Sequence, residues 1–162
     1  MEMRRLKTGR KKQTLVIAFS YFTIIFAIIL KIITSSVNAN NGNSASDVQL
    51  LARAINGEAR GESYEGQVAV GAVILNRVKS PNFPNSIAGV IYQPGAFTAV
   101  SDGQINVPIA NNATVVKAAQ DALNGWDPTN GAIYYFNPDT ATSSWIWSRP
   151  LIKTIGKHRF CK

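Results

Sequence analysis

Three glutamates lie within eight positions in the segment NGEARGESYEGQ, residues 56–67. They are Glu58, Glu62 and Glu65, with Arg60 among them. A carboxylic acid can protonate the leaving oxygen of a glycosidic bond if its surroundings keep it neutral near pH 7, as partial burial does. The cluster therefore contains candidates for acid catalysis on a sugar polymer.

Glu58 is the strongest of these candidates. The pattern places it just after the first predicted helix, where Gly57 lets the backbone approach other elements closely. Glu65 is expected in the first turn of the next helix, where it stabilises the dipole, and Glu62 can cap that helix or pair with Arg60. Spacing alone leaves open that Glu58 is a solvated turn residue or part of a structural ion pair.

Other chemistries find little support in the residues. His158 is the only histidine and Cys161 the only cysteine. A catalytic zinc site normally takes three protein ligands, usually including two or more His or Cys, so a zinc peptidase or amidase is disfavoured. In a strand, positions 158 and 161 face opposite sides, and a buried inert thiol is the expected state of Cys161. Serine-elbow, phosphate-loop and dinucleotide glycine motifs are absent.

Aromatic residues cluster late in the chain. Trp145 and Trp147 are separated by one residue, so in a strand they would share one face. Flat rings can stack on sugars, while ordinary packing is the alternative for both tryptophans and the favoured role of Tyr134. Tyr135 and Phe136 follow directly in the same β-prone run.

The basic residues are concentrated in a leader. Residues 1–39 hold seven Lys/Arg and one acidic residue, giving +6, whereas residues 40–162 carry only +2. This distribution offers no electrostatic footprint for nucleic acid. A basic start, an uncharged run over 14–30 and the small residues 37–39 are typical of a signal peptide, and an uncleaved anchor over about 14–33 is the alternative. Either form leaves the remaining chain outside the cytoplasm.

A polar linker over 40–46 is expected to precede a folded domain over 47–162. An amphipathic helix with the stripe 48, 51, 52 and 55 should be capped by Ser44 or Ser46 and should end at Asn56-Gly57. Ser63 can cap a second helix, whose apolar run 68–75 belongs at the centre of the fold.

The second half of the domain is expected to add loops, one helix and a small sheet. Prolines make 80–86 a loop, a short helix follows in 87–93, and 94–112 is a long irregular segment of the kind that binds ligands. Asn112 is expected to cap a third helix that closes at Asn124-Gly125. A strand in 131–139 and a hairpin turning at Gly156-Lys157 complete an α+β fold, a small helical core with a minor C-terminal sheet.

Several motifs, in order, resemble the catalytic domain of the spore cortex-lytic enzymes, the bacterial cell wall hydrolase family. They are NGEARGESYEGQVAVGAVILNRVKSPNFP, FTAVSDGQ, ALNGWDP, YYFNPDTATSSWIWSRP and IGKHRFCK, and together they span about residues 47–162. The resemblance implies a lysozyme-like α+β fold, related to soluble lytic transglycosylases and resuscitation-promoting factors. It implies action on peptidoglycan glycan strands that contain muramic lactam, with no cofactor.

The resemblance also implies roles for residues. Glu58, the first glutamate of the NGEARGE motif, corresponds to the family's catalytic acid. Groove-lining positions correspond to Phe97, Thr98, Tyr135, Phe136 and Asn137, to which Trp145 and Trp147 are added as stacking candidates. Relatives often carry an N-terminal peptidoglycan-binding repeat domain, for which the short linker leaves no room.

The expected reaction is cleavage between N-acetylmuramic acid and N-acetylglucosamine by a lytic transglycosylase. A hydrolytic muramidase would usually need a second carboxylate, for which Asp102 and Asp139 are candidates. A non-catalytic wall-binding module with the same groove is the alternative from another class.

Overall fold

The computed structural model describes residues 24–31 and 45–162, and the chain divides into two units between Asn43 and Ser44. In the first unit, residues 24–31 are helical with exposed side chains. The predictions for the rest of the leader and for residues 32–44 lie outside the described residues. Of the helices in the described ranges, none combines the length and apolar character that crossing a membrane requires.

Helices form most of the second unit. Helix α1 covers residues 45–59, and α2 (Tyr64–Lys79) begins after Ser63, whose hydroxyl accepts a hydrogen bond from the Gly66 N–H. The short helices α3 (Ile87–Ile91) and α4 (Thr98–Ser101) follow, then a 3₁₀ turn at Gln104–Asn106 and helix α5 (Thr114–Leu123). The predicted long segment is therefore partly helical.

Helix α2 lies at the centre, as its apolar run predicts. At Gly71 a Cβ would come within 3.0 Å of Ile55 of α1 and 3.2 Å of Ala122 of α5, so both helices pack closely against it. Eight apolar or small residues of α2 are buried, together with Gln67 and Arg77. This apolar core stabilises the unit and fixes the end of α1 relative to the segments that follow.

The sheet is small, antiparallel and C-terminal. Strands β1 (Tyr134–Phe136), β2 (Leu151–Ile155) and β3 (His158–Cys161) take the order β1-β3-β2. Its inner face packs on α2 through a buried cluster of Ala69, Val73, Ala132, Ile155 and Phe160. The predicted hairpin and the α+β class are thereby confirmed.

Three local predictions are wrong. Helix α1 does not end at Asn56-Gly57 but continues to residue 59. Of the two predicted caps, Ser46 lies within the helix, and Ser44 lies outside the described residues. Gly57 serves close packing instead, because a Cβ there would lie 2.4 Å from that of Ala99. The residue that precedes α5 is Ala113, which makes no side-chain cap bond, rather than Asn112.

Trp145 and Trp147 provide the third correction. They belong to a short helix, α6 (Ser144–Trp147), rather than to a strand. Their rings contact Tyr134 and Phe136 respectively. This packing against β1 explains why a β-prone sequence is helical here, since tertiary contacts override local propensity.

Candidate active site

Glu58 lies in the last turn of α1 and is half-buried. Its Oε1 accepts a hydrogen bond of 2.8 Å from the backbone N–H of Ala99 in α4. Its Oε2 lies 3.2 Å from the phenol oxygen of Tyr135 in β1. The carboxyl group is therefore held from two sides, by the helical segment that follows residue 97 and by the sheet.

The contact between α1 and α4 depends on Gly57. The absence of a side chain there allows Ala99 to approach the helix, which brings its N–H within reach of the neighbouring Glu58. Ala99 itself is 1% exposed, so this donor is shielded from competing water. Close backbone approach is a characteristic use of glycine.

Tyr135 approaches Glu58 from the inner face of the sheet. Its ring lies edge-on to His158, with centroids 5.3 Å apart, and 6.0 Å from Phe160. Burial, and secondly the negative charge of Glu58, raise the pKa of Tyr135 well above 10. The phenol therefore keeps its proton at neutral pH and serves as a donor to the carboxylate.

A buried arginine supports both sides of the site. The Nε of Arg77 donates a 2.7 Å hydrogen bond to the carbonyl of Ile133, just before β1. Its guanidinium also lies 5.2 Å from the ring centre of Phe97, just before α4. Burial lowers the pKa of Arg77 below its usual value, while Tyr135, Tyr134 and Glu58 favour its charged form.

The other two glutamates of the motif have separate partners. The Oε2 of Glu62 accepts a 3.0 Å hydrogen bond from the N–H of Lys157, and its Oε1 lies 3.9 Å from Nδ1 of His158. Glu65 is exposed and pairs with Lys153 at 3.1 Å. The predicted pairing of Glu62 with Arg60 is not observed, because Arg60 donates to the side chain of Gln104.

The predicted groove residues occupy different environments. Phe97 is buried at 4% exposure beneath Arg77, whereas the adjacent Thr98 is exposed at the start of α4. Asn137 is half-buried, and its Oδ1 accepts from the N–H of Asp139 in the turn after β1. Phe136 is largely buried against Trp147.

The tryptophans lie on the other side of the sheet from Glu58. Side chains alternate along a strand, so Tyr134 and Phe136 leave β1 on the face opposite Tyr135. Trp145 and Trp147 contact these two outward side chains. The structure thus groups Glu58 with Tyr135 and groups the tryptophans with the outer face.

The two candidates for a second carboxylate both lie in turns. Asp102 is exposed, and its Oδ1 accepts from the N–H of Gln104. Asp139 is exposed after β1. Within residues 45–162, the hydrogen bonds of the Glu58 carboxyl come from Ala99 and Tyr135, with neither aspartate among its partners.

Two contributors escaped the sequence reasoning. Ala99 acts through its backbone, which no side-chain pattern reveals. Arg77 carried a usable signal, because Val70, Val73 and Arg77 follow i, i+3 and i+7 on one face of α2 and all three are buried. A charge on a buried helix face is uncommon and indicates a specific partner.

The fold and the site define a small α+β domain with a hydrogen-bonded carboxyl at the junction of its helical core and its sheet. This arrangement suits general acid–base chemistry. The family described as Cell Wall Hydrolase matches residues 61–161. The chain belongs to the cell wall hydrolase family.

Named relatives agree with this assignment. The chain is 65% identical over 125 residues to a spore cortex-lytic enzyme of Bacillus cereus, covering 77% of this chain and 48% of the relative. It therefore spans about half the length of that enzyme. The crystal structure of the catalytic domain of the B. cereus SleB protein matches with a TM-score of 0.68 and 66% identity, over 72% of this chain and 89% of that chain.

A second solved structure is equally similar. It is the catalytic domain of the germination-specific lytic transglycosylase SleB from Bacillus anthracis, with a TM-score of 0.68 and 66% identity. The match covers 72% of this chain and 93% of that chain.

Proposed function

We propose that the domain cleaves the glycan strands of peptidoglycan, between N-acetylmuramic acid and N-acetylglucosamine, with Glu58 as the catalytic acid. The observation that carries this proposal is the pair of hydrogen bonds that Ala99 and Tyr135 make to the carboxyl of Glu58. A group with two fixed oxygens is oriented for proton transfer, which is the requirement of general acid catalysis.

The relatives support the substrate class. The matched proteins are named spore cortex-lytic enzymes, and one matched structure is named a germination-specific lytic transglycosylase. The spore cortex is therefore the proposed substrate, and its degradation during germination the proposed role. The leader supports a location outside the cytoplasm, whether it is cleaved or retained as an anchor.

The hydrogen bonds indicate which oxygen carries the transferable proton. The N–H of Ala99 can only donate, so Oε1 acts as an acceptor in both protonation states. The acidic proton of Glu58 is therefore assigned to Oε2. The phenol of Tyr135, 3.2 Å away, then stabilises the carboxylate that remains after proton transfer.

Both steps of the proposed reaction use this one carboxyl group. In the first step, Glu58 gives its proton to the glycosidic oxygen as the bond from that oxygen to C1 of the muramic acid breaks. In the second, the carboxylate takes the proton of the muramic acid 6-hydroxyl, whose oxygen bonds to C1 and closes a 1,6-anhydro ring. Atoms balance without water, and Glu58 ends the cycle protonated.

This one-carboxyl mechanism distinguishes the transglycosylase from a muramidase. Hydrolysis in this type of enzyme usually needs a second carboxylate to activate water or to stabilise the intermediate. Asp102 and Asp139 stay candidates for that role. Asp102 accepts a hydrogen bond from the N–H of Gln104, and the N–H of Asp139 donates to Asn137, so each belongs to a local turn. The arrangement at Glu58 favours the transglycosylase.

Contacts with the glycan are assigned to the surface beside Glu58. Thr98 is exposed one residue from Ala99, and Asn137 lies two residues beyond Tyr135, so both flank the carboxyl along the chain. We assign a supporting role to Phe97 because its ring is covered by Arg77. Phe136 is covered in the same way by Trp147.

The decisive test is Glu58→Gln, with Glu65→Gln as the matched control. Glu65 is an exposed carboxylate of the same motif, paired with Lys153. We expect Glu58→Gln to lower the clearing rate of a cortex peptidoglycan suspension by at least about 100-fold, because it removes the acid. Glu65→Gln should act like the unmodified chain.

Two further measurements complete this test. Binding of Glu58→Gln to the same peptidoglycan should be retained, whereas a non-catalytic binding module would show no lysis by either form. Mass spectrometry of the products decides the reaction type. Anhydromuramic ends support the transglycosylase, and reducing muramic ends without anhydro products would establish hydrolysis instead.

A further inference from the structure

The outer face of the sheet carries an exposed aromatic surface with basic neighbours. We call it the α6 surface and define it by Trp145, Trp147, Arg149, Leu151 and Arg159. Trp145, Trp147 and Leu151 are 49%, 46% and 47% exposed. Exposed large apolar groups gathered in one place are typical of interaction sites.

The tryptophan rings are held in position by the sheet. Trp145 meets Tyr134 edge-on at 5.0 Å, and Trp147 meets Phe136 at 4.9 Å. The Nε1 of Trp147 also points toward the carbonyl of Ala141 at 3.4 Å. Rings that are already fixed lose little conformational entropy when a ligand stacks on them.

Guanidinium groups accompany both rings. Arg149 lies 4.6 Å from the ring centre of Trp145, and Arg159 lies 5.5 Å from that of Trp147. In residues 45–162 neither arginine belongs to an ion pair. The Nε of Arg149 is buried and has no hydrogen-bond partner.

The sequence around this surface is predominantly basic, and the nearest preceding acidic residue is the exposed Asp139. Residues 140–162 contain two arginines and three lysines but no aspartate or glutamate. Lys153 is engaged by Glu65, and the Nζ of Lys162 donates to the carbonyl of Gly131. The cations that lie against the tryptophan rings are Arg149 and Arg159. A ligand that matches it therefore presents carboxylates together with flat apolar faces.

We propose that the α6 surface binds peptidoglycan at a second place, outside the site of cleavage. The proposal rests on the proposed function and extends it. Sugar rings offer C–H faces that stack on tryptophan, and the muramyl lactyl groups or stem peptides offer carboxylates that pair with guanidinium.

The position of the surface separates this binding from catalysis. The tryptophans contact Tyr134 and Phe136, which leave β1 on the face opposite Tyr135 and hence opposite its contact with Glu58. The ring centre of Tyr134 also lies 5.7 Å from the guanidinium of Arg77, so the Trp145 end of the surface borders the core beside the site. A glycan strand held against the outer face still leaves the carboxyl of Glu58 free. The surface thus retains the domain on the wall polymer while Glu58 acts on a separate segment.

An acidic membrane surface fits the same site less well. Membrane insertion is favoured by aliphatic and aromatic groups that enter the acyl region. Here Leu151 is the only exposed aliphatic member, and both tryptophans have a guanidinium beside them. This composition favours a sugar polymer with carboxylates.

The test measures binding in the inactive Glu58→Gln chain, so that the polymer stays intact. Sedimentation with purified peptidoglycan would compare this chain with the added pair Trp145→Ala and Trp147→Ala. We expect the pair to weaken binding by about tenfold or more, since two stacking contacts are lost. Trp126→Ala is the matched control, because Trp126 is 44% exposed but packs against Tyr64 elsewhere.

A second pair of variants guards against misfolding. Arg149→Gln with Arg159→Gln leaves the tryptophans in place and should also weaken binding, with the remaining binding less sensitive to salt. Amidation of the peptidoglycan carboxyls with carbodiimide and ammonia should reduce binding of the Glu58→Gln chain in the same way. Unchanged binding in both pairs of variants would overturn the proposal.

Two measurements distinguish this proposal from membrane binding and from the proposed cleavage function. Binding to phosphatidylglycerol vesicles that is lost in the tryptophan pair, together with unaltered binding to peptidoglycan, would assign the surface to membranes and overturn the proposal. Cleavage is measured separately, in chains that retain Glu58, on short soluble glycan fragments. Failure of the unmodified chain to cleave them would count against the proposed function alone, because the sedimentation result does not depend on turnover.

Discussion

The phenol oxygen of Tyr135 lies 3.2 Å from Oε2 of Glu58, joining residues that are 77 positions apart in the sequence. The contact connects the last turn of α1 to the first strand of the sheet. Because Ala99 occupies the other oxygen, the carboxyl is fixed by donors from two different segments. The orientation of the acid therefore depends on the assembled fold and not on the NGEARGE motif alone.

Tyr135→Phe should reduce activity while leaving the fold intact. The ring and its contacts with His158 and Phe160 are retained, and only the donor to Glu58 is removed. Hydrogen bonds to charged groups contribute about 1.5–3 kcal/mol, so we expect kcat to fall by about 10- to 100-fold. Initial rates on cortex peptidoglycan would measure this.

The split between kcat and KM in Tyr135→Phe provides a second readout. The phenol hydrogen-bonds to the acid itself, so the loss should appear in kcat more than in KM. Tyr92→Phe is the control, because Tyr92 is exposed at the end of α3. An unchanged kcat in Tyr135→Phe would show that the contact has no part in catalysis.

Gly57→Ala should disturb the other donor. Alanine normally stabilises a helix more than glycine does. Here, however, its Cβ would lie 2.4 Å from that of Ala99. The clash should push α4 away, lengthen the Ala99 bond to Glu58 and cost about 1–3 kcal/mol of stability. Urea unfolding would give the fraction of folded protein, and initial rates would give the activity. The activity should fall by more than the loss of folded protein explains.

Gly61→Ala is the matched control for Gly57→Ala. Gly61 lies four residues later in the same motif, and a Cβ there would meet no atom within 4 Å. We expect unchanged activity and a stability change between zero and a gain of about 1 kcal/mol. Equal behaviour of the two variants would mean that contact with Ala99 does not position Glu58.

The sequence predicted elements that local signals define. Ser63 and the apolar run after it correctly predicted α2, because a cap and a buried core helix are encoded within consecutive residues. The end of α1 was misplaced because Asn56-Gly57 is also a local stop signal, which packing against Ala99 overrides. The helix that contains Trp145 and Trp147 was not predicted, because it packs on Tyr134 and Phe136, which lie outside that segment.

The site residues show the same difference between features that local sequence encodes and features that depend on distant contacts. Glu58 was named from its position after the first helix and from the resemblance, and Tyr135 from the resemblance. Their hydrogen bond joins distant segments that no local pattern relates. Ala99 contributes a backbone N–H, which any residue type except proline could supply at that position. Arg77 was not named among the site residues, although its guanidinium lies against Phe97 in the core.

Arg77→Lys should destabilise the domain despite conserving the charge. Lysine has no Nε donor for the carbonyl of Ile133, and no planar group to stack on the rings of Phe97, Phe83 and Tyr134. The buried carbonyl and the lost cation–π contacts together should cost about 2–4 kcal/mol. Urea unfolding would measure the loss.

Arg60→Lys is the control for Arg77→Lys. Arg60 is exposed and donates to Gln104, so its replacement should change stability by about 0.5 kcal/mol or less. If Arg77→Lys were as mild as Arg60→Lys, the guanidinium would not be the group that holds the segments before α4 and β1.

His158 should make stability depend on pH. Burial lowers the pKa of His158 below 6.5, while the charges of Glu62 and then Glu58 oppose this shift. The rings of Tyr135 and Phe160 also pack on it. Because the folded-state pKa is the lower one, the unfolded chain binds more protons between the two values.

The stability associated with neutral His158 is therefore complete above about pH 6.5 and is lost as pH falls toward the lower folded-state pKa. Urea unfolding at pH 7.5, 6.5 and 5.5 would compare the unmodified chain with His158→Gln, which cannot titrate there. Because this is the only histidine in the sequence, the difference in unfolding free energy between the two chains reports on this group. The advantage of the unmodified chain should shrink on acidification, and an advantage that grew instead would show that the ion pair with Glu62, at 3.9 Å, outweighs burial.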